Sequence, residues 1–370
     1  WDSKDTNPRL IMAVSPHVRV ALGPFVVPCQ HELAHNLWTR HWPIFFTSGA
    51  SREELGLWVS EYNRRGWSFA RMDQSKFDRH HSEQSYSTIR TIYKKWGIPK
   101  LVDWIMCHLH RRCRGSTADG LRFTREDGAM ATGVPQTCLH NSLLNGIMTS
   151  YVYEKLGLRL GTDFAMMILG DDNVTAAKQH PCKSDIQQLF KELGFTIKFG
   201  VAEHLSELDY CSMWFSPVEP VTIDGEILEV VAAPTMKAAK CVWSVADIPK
   251  REDFCRMHAR SVALSLQGAD QTPVLKQMMT VMKECTDKVL TGKAARAFEA
   301  AYHPAHHWAK ATLDLRPHAS QVQAFSRRYH ITEQLTSKMM SLITGAPVFS
   351  LLDGPEVREF CQAIIDTELT

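Results

Sequence analysis

The 370-residue sequence has no apolar run approaching the ~20 residues of a membrane-spanning helix and no signal-peptide pattern, so a folded, soluble protein is expected. Low-complexity linkers and internal repeats are absent as well. It also lacks a surplus of one charge: Lys and Arg total 42 against 40 Asp and Glu, and the net +2 does not by itself announce a polyanion partner. Local patches must carry that argument. The ten cysteines include no Cys-x-x-Cys pair, and their irregular spacing in so long a chain is unlike a disulfide-stapled miniprotein. They read as reduced thiols of a cytosolic compartment. An initiator methionine is missing; Trp1 opens directly into patterned sequence, as expected of a fragment or a processed product.

What is present is the composition of a folded protein, 44% hydrophobic and 22% charged, which excludes intrinsic disorder and collagen-like structure. Two or three packed subdomains are expected at this length. Gly66 to Asp78 (GWSFARMDQSKFD) reads as a strand running into an acidic turn. Phe164 to Leu169 reads as a second strand; with Gly-Asp-Asp-Asn and Val174-Thr175-Ala176 it forms a hairpin with carboxylates at its tip. Ser184 to Leu193 suits a helix stopped by Gly194, and Leu208 to Val218 is β-rich. Beyond Pro234 the pattern turns helical, in Arg251 to Leu266, Val274 to Val289 and Pro355 to Glu368. Arg90 to Arg125 is strongly basic, opposed only by Asp103 and Asp119.

The chemistry concentrates in Asp73, at a strand end, and the pair Asp171-Asp172, in a hairpin turn. Two-metal phosphoryl transfer needs carboxylates converging from neighbouring strands on ions ~3.5–4 Å apart, because Mg²⁺ takes hard oxygen ligands. One strand end and one hairpin tip supply that arrangement. Gly, Asp and Asn are also favoured turn residues, so Gly-Asp-Asp alone leaves a plain turn open.

Asp78 follows Asp73 by five residues, and Thr132-Gly133-Val134-Pro135-Gln136-Thr137-Cys138-Leu139-His140-Asn141 lies between the aspartate clusters. Here the sequence resembles the RNA-dependent RNA polymerases of positive-strand RNA viruses, tombusvirus-like and more remotely nodavirus-like. Asp73-x4-Asp78 is similar to their motif A, Thr132-Gly133-x3-Thr137-x3-Asn141 to motif B and Gly170-Asp171-Asp172 to motif C. The resemblance implies an RNA-directed nucleotidyltransferase with two Mg²⁺ ions, replaceable by Mn²⁺. Asp73 and Asp171 become the main metal ligands, Asp172 a weaker one. Asp78 and Asn141, with Thr132, Gly133 and Thr137, become the nucleotide site, where carboxylate and carboxamide read the ribose 2′-hydroxyl as donor and acceptor. Thr132 stands where the family usually has Ser.

Further resemblances flank this core. Asn7-Pro8-Arg9-Leu10-Ile11, Ser15-Pro16 and Leu22-Gly23-Pro24-Phe25 look like a tombusvirus-type motif F, which implies that Arg9 faces the incoming triphosphate, with Lys4 and Arg19 as candidates beside it. Leu193 to Lys198 is similar to motif D and makes Lys198 the candidate general acid toward pyrophosphate, with Lys191 its rival. Leu208 to Val218 looks like motif E. Arg19, Arg111, Arg112 and Arg114 are candidate RNA contacts. Cys107-His108-x-His110-x2-Cys113 offers zinc-type donors at a spacing that matches no zinc module, and His303, His306 and His307 read as ordinary packing and surface.

The expected fold class is α+β, a right-hand polymerase with an antiparallel-sheet palm, partial fingers and a mainly helical thumb. Residues 1–66 are assigned to fingers with motif F, 67–89 to palm, 90–128 to a basic insertion, 129–233 to palm and 234–370 to thumb. The implied partners are RNA template and product strand, ribonucleoside triphosphates, and other replicase regions or viral proteins. The implied location is the host cytoplasm, at membrane-bound replication complexes anchored through regions outside this chain. A silent RNA-binding palm and a two-metal nuclease are the competing readings; the latter leaves Asp78, Asn141 and Arg9 unexplained.

Overall fold

A computed structural model describes residues 14–116, 120, 122–125, 127–242, 268–286, 313, 315–345 and 352–368. Lys4, Arg9 and the Asn7–Ile11 part of motif F lie outside these residues, as do the expected helix at 251–266 and His303, His306 and His307. The described chain divides into two compact units. One comprises the residues up to Gly49 together with Gly66–Ala202, the other Ala50–Arg65 and the residues from Glu203 onward.

The first unit is built on a five-stranded sheet, in the order β1 (Ile44–Phe46), β5 (Phe164–Leu169), β6 (Asp172–Ala177), β2 (Ser68–Gln74), β7 (Ile197–Ala202). Only the β1–β5 pair is parallel. The strands β5 and β6 are the expected hairpin, with Leu169 opposite Asp172 and Gly170-Asp171 as the two-residue turn. Gly170 has φ +65°, and Asp171 is not among the positive-φ residues, the pattern of a tight turn that takes glycine at its first central position. The turn therefore needs Gly170 for its backbone and asks no unusual conformation of Asp171.

Helices α1 (Pro16–Glu32), α4 (Glu83–Lys95), α5 (Lys100–Leu109), α6 (Thr137–Lys155) and α7 (Lys183–Glu192) belong to this unit, with the short α3 (Phe77–His80). Helix α6 is buried over most of its circumference, so its sequence shows little amphipathic contrast. A Cβ on Gly146 would stand 2.7 Å from the Trp38 ring and 3.3 Å from Ile168 of β5. Glycine there sets how near the helix lies to the strand that leads into the carboxylate turn. Phe164, Met166 and Ile168 of β5 fill the core beneath it, with Leu139, Leu143 and Val152 of α6.

The basic segment consists of α4, α5 and the hairpin of β3 (Cys113–Ser116) and β4 (Arg122–Arg125). Asp103 of α5 takes the Arg90 guanidinium of α4 on both oxygens, at 2.7 and 2.5 Å.

The second unit packs α2 (Arg52–Arg64) on a sheet of β8 (Asp209–Tyr210), β9 (Met213–Ile223) and β10 (Glu226–Pro234). Ser60 of α2 accepts the backbone N–H of Glu229 and of Val230. Helices α8 (Leu275–Thr286), α9 (Gln321–Arg328), α10 (Glu333–Gly345) and α11 (Pro355–Glu368) form its helical part. Arg328, 4% exposed, pairs in the interior of that part with Asp209 at 2.9 Å and with the equally buried Glu368 at 3.5 Å, and donates to the Ser206 carbonyl. Breaking such a buried pair from one side leaves an uncompensated charge, so it fixes the end of α11 in place.

Candidate active site

Asp73 is the penultimate residue of β2, where its register partner on β7 is Lys198. The ammonium stands 4.0 Å from the carboxylate, and with the side chains 69% and 40% exposed the pair is weak. Asp171 occupies the exposed tip of the β5–β6 turn, with protein crowding it on its other sides. That partial burial, reinforced by Asp172 and by the carboxylates of Asp78 and Asp73, holds its carboxyl above the usual carboxylate range. Four aspartates thus share one electrostatic neighbourhood.

Asp78 lies in α3, just after Lys76, whose left-handed φ of +51° turns the chain out of the strand. Each Asp78 carboxylate oxygen is occupied: Thr132 Oγ1 donates to Oδ2 at 2.9 Å and Asn141 Nδ2 to Oδ1 at 2.8 Å. A carboxylate only accepts, so the Asn141 amide must turn its NH₂ toward Asp78, which leaves Asn141 Oδ1 buried without a donor. The Met130 N–H also donates to the Asp78 carbonyl, which ties the loop before α6 to α3. Thr137 plays a different part: its hydroxyl donates to the Ala131 carbonyl and closes the same loop, in which Gly133 turns with φ +96°.

Sequence reasoning missed the support behind the turn. Ser142, Asn145 and Thr149, three and four residues apart, line one stripe of α6. Ser142 Oγ accepts the Gly170 N–H at 2.8 Å, and Asn145 Nδ2 donates to the carbonyls of Gly170 and Asp171 at 3.1 and 3.2 Å. Asn173 Nδ2, beyond the turn, reaches Asn145 Oδ1 and Thr149 Oγ1 at 3.0 and 2.9 Å. The signal was available as a polar i, i+3, i+7 stripe on an otherwise apolar helix. Removing Asn145 strips two bonds from the turn and one from Asn173, so Asn145→Ala is expected to lower stability by roughly 2 kcal/mol. If the turn carries the chemistry, Asn145→Ala should also cut turnover more than it raises KM, a split that steady-state kinetics measures; a melting-point loss with unchanged turnover would make Asn145 merely structural.

Three imidazoles pack behind Asp78 and Asn141. His81, His110 and His140 are all buried, with His140 centred 5.2 and 5.8 Å from the other two rings. Burial lowers His81 to about 3, helped by His110 and His80, and His110 to about 4 against a hydrogen bond to the Ala129 backbone. Burial, then His81 and His110, pushes His140 well below the ordinary value. The unfolded chain protonates these rings near pH 6.5, whereas in the folded chain His81 and His110 take a proton only near pH 3–4 and His140 only well below its ordinary value, so their contribution to stability is whole above about 6.5 and is lost on acidification. The unfolding midpoint is therefore expected to fall steadily from pH 7 to pH 4.5, and His140→Phe to flatten that slope; a level profile would contradict the burial.

The remaining candidates scatter. Arg19 is exposed on α1, Arg111 and Arg112 follow α5, and Arg114 is exposed on β3. Among the described residues no three His, Cys, Asp or Glu side chains converge tightly enough to hold a metal ion as they stand, the Cys107-to-Cys113 segment included. The donor set nevertheless suits a hard divalent cation, because four carboxylates crowd together and Lys198 stands beside Asp73 alone at the 4.0 Å limit of an ion pair.

A mainly antiparallel sheet with one aspartate at a strand end and two more in the adjoining hairpin, backed by a helix, belongs to the α+β class of right-hand polymerases. The polymerase of a human picobirnavirus, solved as an insertion-loop deletion mutant, superposes with a TM-score of 0.55 at 14% identity, covering 76% of this chain and 54% of that one. The family model described as viral RNA dependent RNA polymerase matches residues 68–331, and the chain belongs to that family. Similar proteins include the RNA-directed RNA polymerases of tomato bushy stunt virus (24% identical over 275 residues, 70% of this chain and 32% of the relative) and turnip crinkle virus (24% over 294 residues, 76% and 35%). That of panicum mosaic virus is 26% identical over 255 residues, 65% of this chain and 24% of the relative. The chain spans about a third of the length of such relatives.

Proposed function

We propose that this chain is the catalytic region of a viral replicase, an RNA-dependent RNA polymerase that adds ribonucleotides to an RNA 3′ end by two-metal-ion phosphoryl transfer on an RNA template. The observation that carries the reading is the Thr132–Asp78–Asn141 triad in the same charged neighbourhood as Asp73, Asp171 and Asp172. A nuclease needs the acidic cluster but no group that inspects a 2′-hydroxyl. Asn141 Oδ1, left without a donor, is free to accept from that hydroxyl while Asp78 holds the amide in register.

Asp73 and Asp171 would hold two Mg²⁺ ions, or Mn²⁺, with Asp172 a weaker ligand; such ions activate the attacking 3′-hydroxyl and offset charge on the phosphates. Lys198, 4.0 Å from Asp73, would give a proton to departing pyrophosphate. Arg9 would face the triphosphate, and Arg19, Arg111, Arg112 and Arg114 the RNA backbone. In the infected cell the region would work with other replicase parts, at cytoplasmic membranes to which segments outside this chain attach it. No helix among the described residues is long and apolar enough to cross a membrane.

The test is incorporation of labelled ribonucleotides on a short single-stranded RNA template with Mg²⁺ and separately Mn²⁺, run beside deoxyribonucleotides. Template-dependent product made selectively from ribonucleotides is expected. RNA bound with no product under either metal would reduce the chain to a silent RNA-binding palm.

A further inference from the structure

A cavity of ≈ 580 Å³ opens between α4 and α5, lined by Glu83, Tyr86, Arg90, Trp104, Arg111 and Asp127 among others. Its chemistry is not that of the carboxylate site. Trp104 presents its indole at the rim, 55% exposed, on a helix whose neighbouring apolar side chains Val102 and Met106 are buried. His108 braces it from one turn below, with ring centroids 3.8 Å apart and the imidazole fixed to the Trp104 carbonyl. An exposed, propped aromatic face costs solvation and supports nothing in the core. It is suited to receive another flat ring.

The polar groups around it are partly committed. Arg90 is neutralised by Asp103, whereas the Arg111 side chain has no ion pair or hydrogen bond among the described residues. Asp127 takes the Arg112 N–H on one oxygen and keeps the other, and Glu83 adds a second carboxylate. An aromatic platform, carboxylate acceptors and an uncommitted guanidinium match the face, the amino edge and the phosphate of a nucleotide. The exposed arginines of β3 and β4, Arg114 and Arg122, continue the positive charge past the rim.

We propose that this cavity takes one unstacked base of single-stranded RNA, stacked on Trp104, with its amino group toward Glu83 and Asp127 and its phosphate toward Arg111. The inference rests on the polymerase reading only in its choice of RNA as the nucleotide's source. Its inner wall adjoins the nucleotide site: Tyr86 stacks on His140 at 5.3 Å, the neighbour of Asn141, and His110 accepts the Gly128 N–H through its carbonyl. A base seated here lies against the aromatic cluster that backs Asp78.

The experiment measures binding of labelled oligocytidylate and oligouridylate by anisotropy, with photocrosslinking mapped by mass spectrometry, for the full chain, Trp104→Ala, Trp104→Phe and Arg111→Ala. Trp104 is exposed, so these variants keep the core. Trp104→Ala is expected to weaken oligocytidylate binding by about fivefold to a hundredfold, the range of one lost stack, with recovery in Trp104→Phe. Arg111→Ala should reduce the salt dependence by about one phosphate contact. Oligouridylate, which lacks an amino donor, should bind more weakly than oligocytidylate in the parent. Crosslinking of free CMP to Trp104, with no crosslink there from the oligomer, would overturn the strand assignment in favour of a free nucleotide. Unchanged oligomer binding in Trp104→Ala, with crosslinks elsewhere, would overturn the site altogether. Neither result depends on catalysis, so a chain that fails to incorporate nucleotides can still bind through Trp104, and an active polymerase can still lack this site.

Discussion

Asp171→Ala is expected to abolish ribonucleotide incorporation, by roughly a thousandfold or more, while single-stranded RNA binding stays close to that of the parent. Asp171 stands at the tip of a turn whose backbone is fixed independently of it, through Gly170, Ser142 and Asn145. Truncating its side chain removes a carboxylate without loosening the turn. The stability expectation runs the opposite way from the activity. Partial burial and three nearby carboxylates raise the Asp171 pKa, so at neutral pH its negative charge disfavours the fold, and removing that charge relieves the repulsion. Asp171→Asn should therefore melt no lower than the parent in metal-free buffer. Normal incorporation by either variant would remove Asp171 from the chemistry, and a large drop in melting point would show that the turn depends on the carboxylate after all.

The second large effect concerns the sugar. Asn141→Ala should leave incorporation measurable but cut the preference for ribo- over deoxyribonucleoside triphosphates by about a hundredfold, read as the ratio of kcat/KM for the two substrates. A site built to hydrogen-bond a hydroxyl rejects the analogue that lacks it because its own buried groups are then left unpaired, and Asn141 Oδ1 is such a group. Asp78→Ala should do at least as much, since it releases both Thr132 and Asn141. If both variants kept full discrimination, the triad would be a loop tie and selectivity would lie elsewhere.

Much of this site was legible because its chemistry imposes spacing. A strand must end just past Asp73, a two-residue turn must carry Gly170, and a loop must bring Thr132 and Asn141 back to Asp78, so the residue types recur at fixed intervals. The strands β2, β5 and β6 and the helices α7 and α11 were readable for the same reason: alternation, caps and turn residues agreed locally. The rest depended on distant partners. Three-residue β1 becomes a strand through parallel pairing with β5, and α1 stays helical despite Pro24 and Pro28. The polar stripe of α6 and the burial of His140 show only once the elements covering them are known. The basic segment announced its charge but not the cavity between its helices.

The route of the chain between its two units has a consequence for how the protein is made. The sequence passes from one unit to the other after Gly49, again after Arg65 and a third time after Ala202. Helix α2 leaves the ribosome long before β10, and the bonds from Ser60 to Glu229 and Val230 join residues 169 and 170 positions apart. During synthesis Leu57 and Trp58, buried in the finished protein, must wait for the strands that cover them. Such long-range closure makes folding slow and leaves the apolar face of an early helix open to wrong partners or chaperones. Neither unit can be released by a single proteolytic cut, because each is sewn from separate stretches of the same thread.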